Sequence, residues 1–153
     1  MPKDTIVKSL NKASASDVRV EKEKVVIVGT GGSGTSHVSN LLGIDGVEIV
    51  ALCDLDQKKA DNAAGLCEKA GRKKPAVYYL DGNTHKEMLE KAKPDAVLIA
   101  TYWDSHTAIA LDAMNKGIYS GIEVPASLTV EDAWKLVETS EKTGSLETIR
   151  KKI

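Results

Sequence analysis

The chain has 153 residues, 42% apolar and 28% charged, which is enough for one well-buried domain and short for two of ordinary size. Lys and Arg nearly balance Asp and Glu, leaving a formal charge of −1, so no net field draws nucleic acid, a membrane surface or a polyanionic substrate; a small ligand is the expected partner. No stretch has the roughly 20 apolar residues of a membrane span and the first 18 residues lack a signal-type apolar core, so a cytoplasmic location is expected.

Residues 1–23 are polar and lysine-rich without a clear period, and read as an extension or tail. From Lys24, apolar β-forming runs alternate with helical patterns, the order of βαβ units around a parallel sheet. "KVVIVG" is an unbroken apolar run, as expected of a strand covered on both faces. The next segment carries Val38, Leu41 and Leu42 at helical spacing and stops at Gly43. "VEIVALCD" (47–54) is a second strand, and "QKKADNAAGLCEKAG" an amphipathic helix ending at Gly71. A basic loop, "RKKP", leads to a short strand in "AVYYL", and "NTHKEMLEKA" predicts a short helix. "DAVLIAT" (95–101) is a strongly apolar strand. "DSHTAIALDAMNKG" is a helix with Ile109 and Met114 turned inward, and "IYSGIEVP" a strand closed by Pro125. In "LTVEDAWKLVETSEKTG", Thr129 is placed to cap a helix that Gly144 ends. The expected fold class is therefore α/β: a Rossmann-type, doubly wound parallel sheet in three layers, forming one domain over residues 24–144, with 145–153 as a short tail. Cys53 and Cys67 lack CxxC spacing and histidines placed beside them; both read as buried small apolar residues, and no metal site is expected.

The chemistry concentrates in "VGTGGSG". Gly29, Gly31 and Gly34 satisfy G-x-G-x-x-G, with Gly32 as a further glycine, and the stretch links a strand to a helix. Gly29 permits the tight turn, Gly31 lets a pyrophosphate approach the backbone, and Gly34 lets helix and strand pack closely. The helix N-terminus then offers N–H groups and positive dipole charge to phosphate. Asp54, 20 residues after Gly34 at the end of the next strand, is positioned to accept hydrogen bonds from adenosine ribose hydroxyls and to repel a 2′-phosphate. A dinucleotide is the expected ligand, NAD over NADP. The alternative is a ligand-free βα turn with Asp54 as a helix cap.

Four places, "VGTGGSG", "CDLD", "ATYWDSH" and "EVP", stand in the order found in the N-terminal domain of the Gfo/Idh/MocA oxidoreductase family, which the chain resembles from the glycine loop to Gly144. That family usually carries Glu-Lys-Pro at the end of the fifth strand, its lysine assisting proton movement during hydride transfer; here Val124 holds that position. The Trp-x-x-His step and the Glu-Val-Pro-Ala run resemble the glycoside hydrolase family 109 subgroup, whose NAD-dependent glycosidases oxidise the sugar transiently and act on α-linked N-acetylgalactosamine. The resemblance implies that Gly32 and Ser33 meet the pyrophosphate and Asp54 the adenosine ribose. It implies further that Thr101, Trp103 and His106 flank the nucleotide, and that Glu123 and Val124 lie near the nicotinamide.

Plainer readings stand beside these. Trp103 could be a packing residue at the lip of the sheet, His106 a residue that starts its helix, and Glu123 a structural carboxylate. His37 and His85 read as exposed polar positions, Tyr78, Tyr79 and Tyr119 as filling the sheet surface, and "RKK" at 72–74 as a solvated loop. Longer members of the family continue into a second domain that binds sugar and supplies most catalytic groups; "SLETIRKKI" resembles neither the sixth strand nor the segment expected next. No catalytic residue is therefore assigned. Three readings remain open: a cofactor-binding module, an enzyme whose carbohydrate site comes from another chain or from association of copies, and a truncated product.

Overall fold

The computed structural model of the chain describes residues 22–79 and 81–145, and the backbone of 147–150. The expected N-terminal extension lies outside the described residues except for its last two. Six parallel strands form one sheet: β1 (Glu23–Val28), β2 (Val47–Cys53), β3 (Ala76–Tyr78), β4 (Ala96–Ile99), β5 (Tyr119–Glu123) and β6 (Glu147–Arg150). Their order is β3-β2-β1-β4-β5-β6. The helices are α1 (Gly32–Leu42), α2 (Gln57–Lys69), α3 (Thr84–Ala92), α4 (His106–Met114) and α5 (Val130–Thr143), with a short 3₁₀ turn at Trp103–Ser105.

The alternation of side chains along β1 explains the three layers. Ile27 points to one face, where it packs with Val38 of α1 and Ala63, Ala64 and Cys67 of α2. Val26 and Val28 point to the other, against Met88 and Leu89 of α3, Ile109, Ala113 and Met114 of α4, and Leu136 of α5. A strand sandwiched in this way has no solvent face, which is why its sequence is apolar at every position. The register of β1 on β2 shifts between Val25/Ile49 and Val26/Ala51, so Val50 is an extra residue. The bulge turns Ile49 and Leu52 to the same face, out of strict alternation.

The last helix begins and ends at the residues the sequence names, and α2 begins at a cap the sequence reading did not name. Asp56 caps α2 by accepting from the Lys58 and Lys59 amides, and Thr129 caps α5 by accepting from Asp132. Gly144 closes α5 in the left-handed region at φ 69°. Cys53 and Cys67 are buried, as expected.

The structure departs from the sequence reading in three places. Residues 147–150, expected as part of a tail, pair with β5 as a sixth strand, from Ser120↔Glu147 to Glu123↔Arg150. A four-residue edge strand is too short to show a period of its own, and it is defined by the partner it pairs with. His37 and His85 were expected to be exposed, but both are buried, at 6% exposure. Each lies on its helix's inward stripe, His37 with Gly34 and Val38, His85 with Met88 and Leu89. Finally, the "RKK" loop is not wholly solvated. The Arg72 guanidinium reaches back to the carbonyls of Leu42 (3.1 Å) and Val47 (3.3 Å), bracing the turn between α1 and β2.

Candidate functional site

The strand order reverses between β1 and β4, which send their following helices to opposite faces of the sheet. Such a switch point leaves a crevice beyond the carboxyl ends of the strands. A cavity of about 550 Å³ opens there. The β1 turn contributes Gly29 and Gly31 to its wall, β2 and its loop contribute Cys53, Asp54, Leu55, Asp56 and Lys59, the segment before α3 contributes Asp81, Gly82 and His85, and the β4 loop contributes Thr101, Tyr102 and Ser105.

The four glycines divide into two pairs. A Cβ on Gly29, whose φ is +92°, would lie 2.4 Å from the Ala100 carbonyl oxygen, and one on Gly34 would lie 1.8 Å from the Gly29 carbonyl oxygen. These two are demanded by the fold, because they let strand, turn and helix touch backbone to backbone. Added Cβ atoms on Gly31 and Gly32 would meet nothing within 4 Å. Here the absence of a side chain leaves room in front of the turn. Gly31 is the N-cap of α1 and supplies no side-chain bond, and the first turn holds no acidic residue. A helix start leaves N–H groups without intrahelical partners, and α1, unlike α2 and α5, does not close them with a side chain of its own.

Asp54 is held in place from both oxygens. Oδ2 accepts from the Thr30 amide (2.7 Å) and the Thr30 hydroxyl (2.8 Å), while Oδ1 accepts from the Asp56 amide (2.8 Å). Partial burial acts to raise its pKa, but the bonds from Asp56 and Thr30, with the Lys59 charge, outweigh that and hold the carboxyl below the usual range. An anionic acceptor is thus fixed on the cavity wall.

The β4 loop and the end of β5 are tied together by His106. Its imidazole is 1% exposed. Nδ1 lies 2.7 Å from the Pro125 carbonyl oxygen and Nε2 3.0 Å from that of Thr101. The adjacent Thr107 hydroxyl donates to the Ala126 carbonyl (3.1 Å). His106 therefore shapes the site by pinning two loops, with its ring occupied by backbone. Trp103 is 63% exposed on the 3₁₀ turn, and the cavity wall from this segment is formed instead by Tyr102, Ser105, Ala108 and Ile109. Thr101 lines the cavity and its hydroxyl bonds Ser105 at 2.6 Å. Ser33 lies in the first turn of α1. Glu123 and Val124 stand at the end of β5, Glu123 against His37 at 2.6 Å and Val124 39% exposed, before a cis Val124–Pro125 bond.

Sequence reasoning did not assign Thr30, Tyr102, Ser105, Asp81, Gly82 or His85 to the site. Thr30 sits inside the glycine motif and was available to it. Asp81, Gly82 and His85 reach the cavity only because the chain after β3 returns past the end of β2. There His85 Nε2 pairs with Asp112 Oδ2 of α4 at 2.8 Å.

The family model described as oxidoreductase family, NAD-binding Rossmann fold, Gfo/Idh/MocA, matches residues 23–149. Over 125 residues, 82% of the chain, it is 39% identical to glycosyl hydrolase family 109 protein 1 of Shewanella sp. strain ANA-3 and 38% identical to the α-N-acetylgalactosaminidase of Shewanella oneidensis. The chain spans 27% of the length of each of these two curated relatives. Among solved structures, myo-inositol dehydrogenase from Lactobacillus casei in complex with NAD(H) and myo-inositol superposes with a TM-score of 0.70 at 26% identity. That match covers 84% of this chain and 36% of the dehydrogenase. With the fold, the switch-point crevice and this match over most of its length, the chain belongs to the NAD-binding Rossmann-fold Gfo/Idh/MocA oxidoreductase family.

Proposed function

We propose that the chain is the dinucleotide-holding part of an NAD-dependent sugar-acting protein, binds NAD in preference to NADP, and turns over no substrate unless a sugar site is supplied from outside the described residues. The observation that carries this reading is the uncapped, side-chain-free start of α1 beside the fixed Asp54 carboxylate. The amides of Gly32 and Ser33 and the open space before Gly31 would hold the pyrophosphate. Asp54 would accept from the adenosine ribose hydroxyls, and its charge, poised by Thr30 and Asp56, opposes a 2′-phosphate.

Bound NAD supplies a hydride acceptor; the chain's own part is to orient it. Val124 stands where the family's usual Glu-Lys-Pro motif has its lysine, and valine neither donates nor accepts a proton, so the proton-transfer group for an alcohol carbon has to come from elsewhere. The similarity to an α-N-acetylgalactosaminidase supports an N-acetylhexosamine glycoside as the sugar. The test is a thermal titration of the purified chain with NAD and NADP. At a hundredfold excess over Kd, NAD should stabilise it by about 2.7 kcal/mol, a rise in Tm of roughly 5–10 °C, with NADP clearly weaker. Equal protection by both nucleotides refutes the preference, and protection by neither refutes binding. Turnover of p-nitrophenyl N-acetyl-α-galactosaminide by the chain and NAD alone refutes the need for an outside sugar site.

A further inference from the structure

His85 lines the cavity yet is only 6% exposed. It stands in the first turn of α3, and its Nε2 lies 2.8 Å from Oδ2 of Asp112 on α4. A carboxylate can only accept, so Nε2 carries the proton and, in the neutral ring, Nδ1 is left as a bare acceptor. Among the described residues Nδ1 has no hydrogen-bond partner, and no side-chain nitrogen or oxygen is sealed in protein without one. Nδ1 therefore opens onto the cavity. His106 differs in this respect, because backbone carbonyls occupy both of its ring nitrogens.

The place of His85 in the cavity determines what it meets. Along the carboxyl ends of the strands, the glycine turn follows β1, Asp54 follows β2, and the segment with Asp81, Gly82 and His85 follows β3. A dinucleotide with its pyrophosphate at the turn and its adenosine ribose at Asp54 carries its base onward to the β3 side. The walls there are apolar: Leu55 on the β2 loop is 63% exposed, and Ala108 and Ile109 face it from α4. Such a slot takes a flat ring by its faces and would cover Leu55, leaving a few polar groups to read the edge. On a purine edge the 6-position is a donor when it carries an amino group and an acceptor when it carries an oxo group.

We propose that His85 sets base specificity: its Nδ1 accepts a hydrogen bond from the 6-amino group of adenine, and Asp112 is a positioning residue that fixes the tautomer making Nδ1 an acceptor. The proposal rests on the NAD reading above. A 6-oxo purine in the same slot sets an acceptor against an acceptor and leaves both unmet, so the chain discriminates adenine from hypoxanthine at this one atom. The pyrophosphate and ribose contacts are the same for both nucleotides.

The full chain is titrated at pH 8 with NAD and with nicotinamide hypoxanthine dinucleotide, in which an oxo group replaces the 6-amino group, and folding is followed by circular dichroism. The wild type should bind NAD about tenfold more tightly, because the oxo form loses a hydrogen bond and leaves Nδ1 unmet. His85→Phe keeps a ring in the space without the acceptor, and should bring the two affinities within about twofold by weakening NAD alone. The chain has 3 histidines, so nitrogen-15 labelling of histidine gives a second reading on the wild type. His85 should show a protonated Nε2 and a bare Nδ1, and the Nδ1 signal should move upfield on saturation with NAD and less with the hypoxanthine form. If His85→Phe fails to fold, the wild-type affinities and spectra decide the matter. The proposal is overturned by equal affinities in the wild type, by a ratio that survives His85→Phe, by a parallel loss of both nucleotides in that variant, or by a proton on Nδ1. A wild type that binds neither nucleotide overturns the NAD reading as well, whereas one that binds both equally overturns this proposal alone.

Discussion

Gly34→Ala provides a decisive perturbation, because two opposing effects of known size act on one methyl group. In an ordinary helix interior, replacing Gly by Ala stabilises by about 0.5–1 kcal/mol, through lower backbone entropy in the unfolded chain. At position 34 the added Cβ would stand 1.8 Å from the Gly29 carbonyl oxygen and 2.7 Å from its carbon. Real Cβ contacts are essentially never closer than 3.0 Å, so α1 must back away from the β1 turn by roughly 1 Å, and the obstruction is backbone that no rotamer change can clear. Overpacking of this kind costs about 1–3 kcal/mol or more, so the clash wins and the net loss is about 2 kcal/mol. For a chain of this size Tm should fall by roughly 4–8 °C, and the displaced N-terminus of α1 should lose NAD affinity by tenfold or more. Gly32→Ala is the matched control: nothing stands within 4 Å of its added Cβ. It should fold with equal or slightly higher Tm, yet weaken NAD, because the methyl group occupies the space before the turn. Urea unfolding and NAD titration of both variants check this. If Gly34→Ala keeps the wild-type midpoint and affinity, the division of the four glycines into fold-demanded and ligand-demanded pairs is wrong.

Asp54 provides an acid-dependent test. Its carboxyl is held below the usual range, so its bonds stabilise the fold above the ordinary carboxylate pKa near 3.9, and that stability is lost as pH falls through the lower folded value. Asp54→Asn should cost about 1 kcal/mol at pH 7, with the gap to wild type narrowing below about pH 4; a gap of the same size at pH 7 and pH 3 in urea melts contradicts this. Burial, with the Asp54 charge adding to it, pushes the Cys53 thiol up to about 12, and burial raises Cys67. Neither should react with iodoacetamide at pH 8 in the folded chain, and both should react promptly in denaturant; stoichiometric labelling of the native protein by mass spectrometry would count against the packing described. Thr129→Ala removes the α5 cap to Asp132 and should lower stability by about 1 kcal/mol, while leaving NAD affinity unchanged because α5 begins away from the cavity; a parallel loss of affinity would show that α5 supports the site.

What the sequence determined by itself was whatever depends on neighbours along the chain. The apolar run of β1, the turn at Gly29, the start of α1 at the glycine loop and the placement of Asp54 after β2 all follow from local backbone requirements and periodicity, and the caps at Thr129 and Gly144 belong with them. Only the tertiary structure decided the contacts made across the sheet. His37 meets Glu123 over 86 positions, His85 meets Asp112 over 27, and His106 reaches Pro125 over 19. Each joins elements that become neighbours only once the strand order is set, so the sequence reading, which took His37 and His85 as exposed, missed both their burial and their partners. β6 shows the same limit, since Glu147–Arg150 carries too little pattern to declare itself and becomes a strand by pairing with β5. The reason is physical: a parallel sheet separates paired strands by long crossovers, so the chain's local preferences define the elements, while the sheet's order decides which side chains share a site.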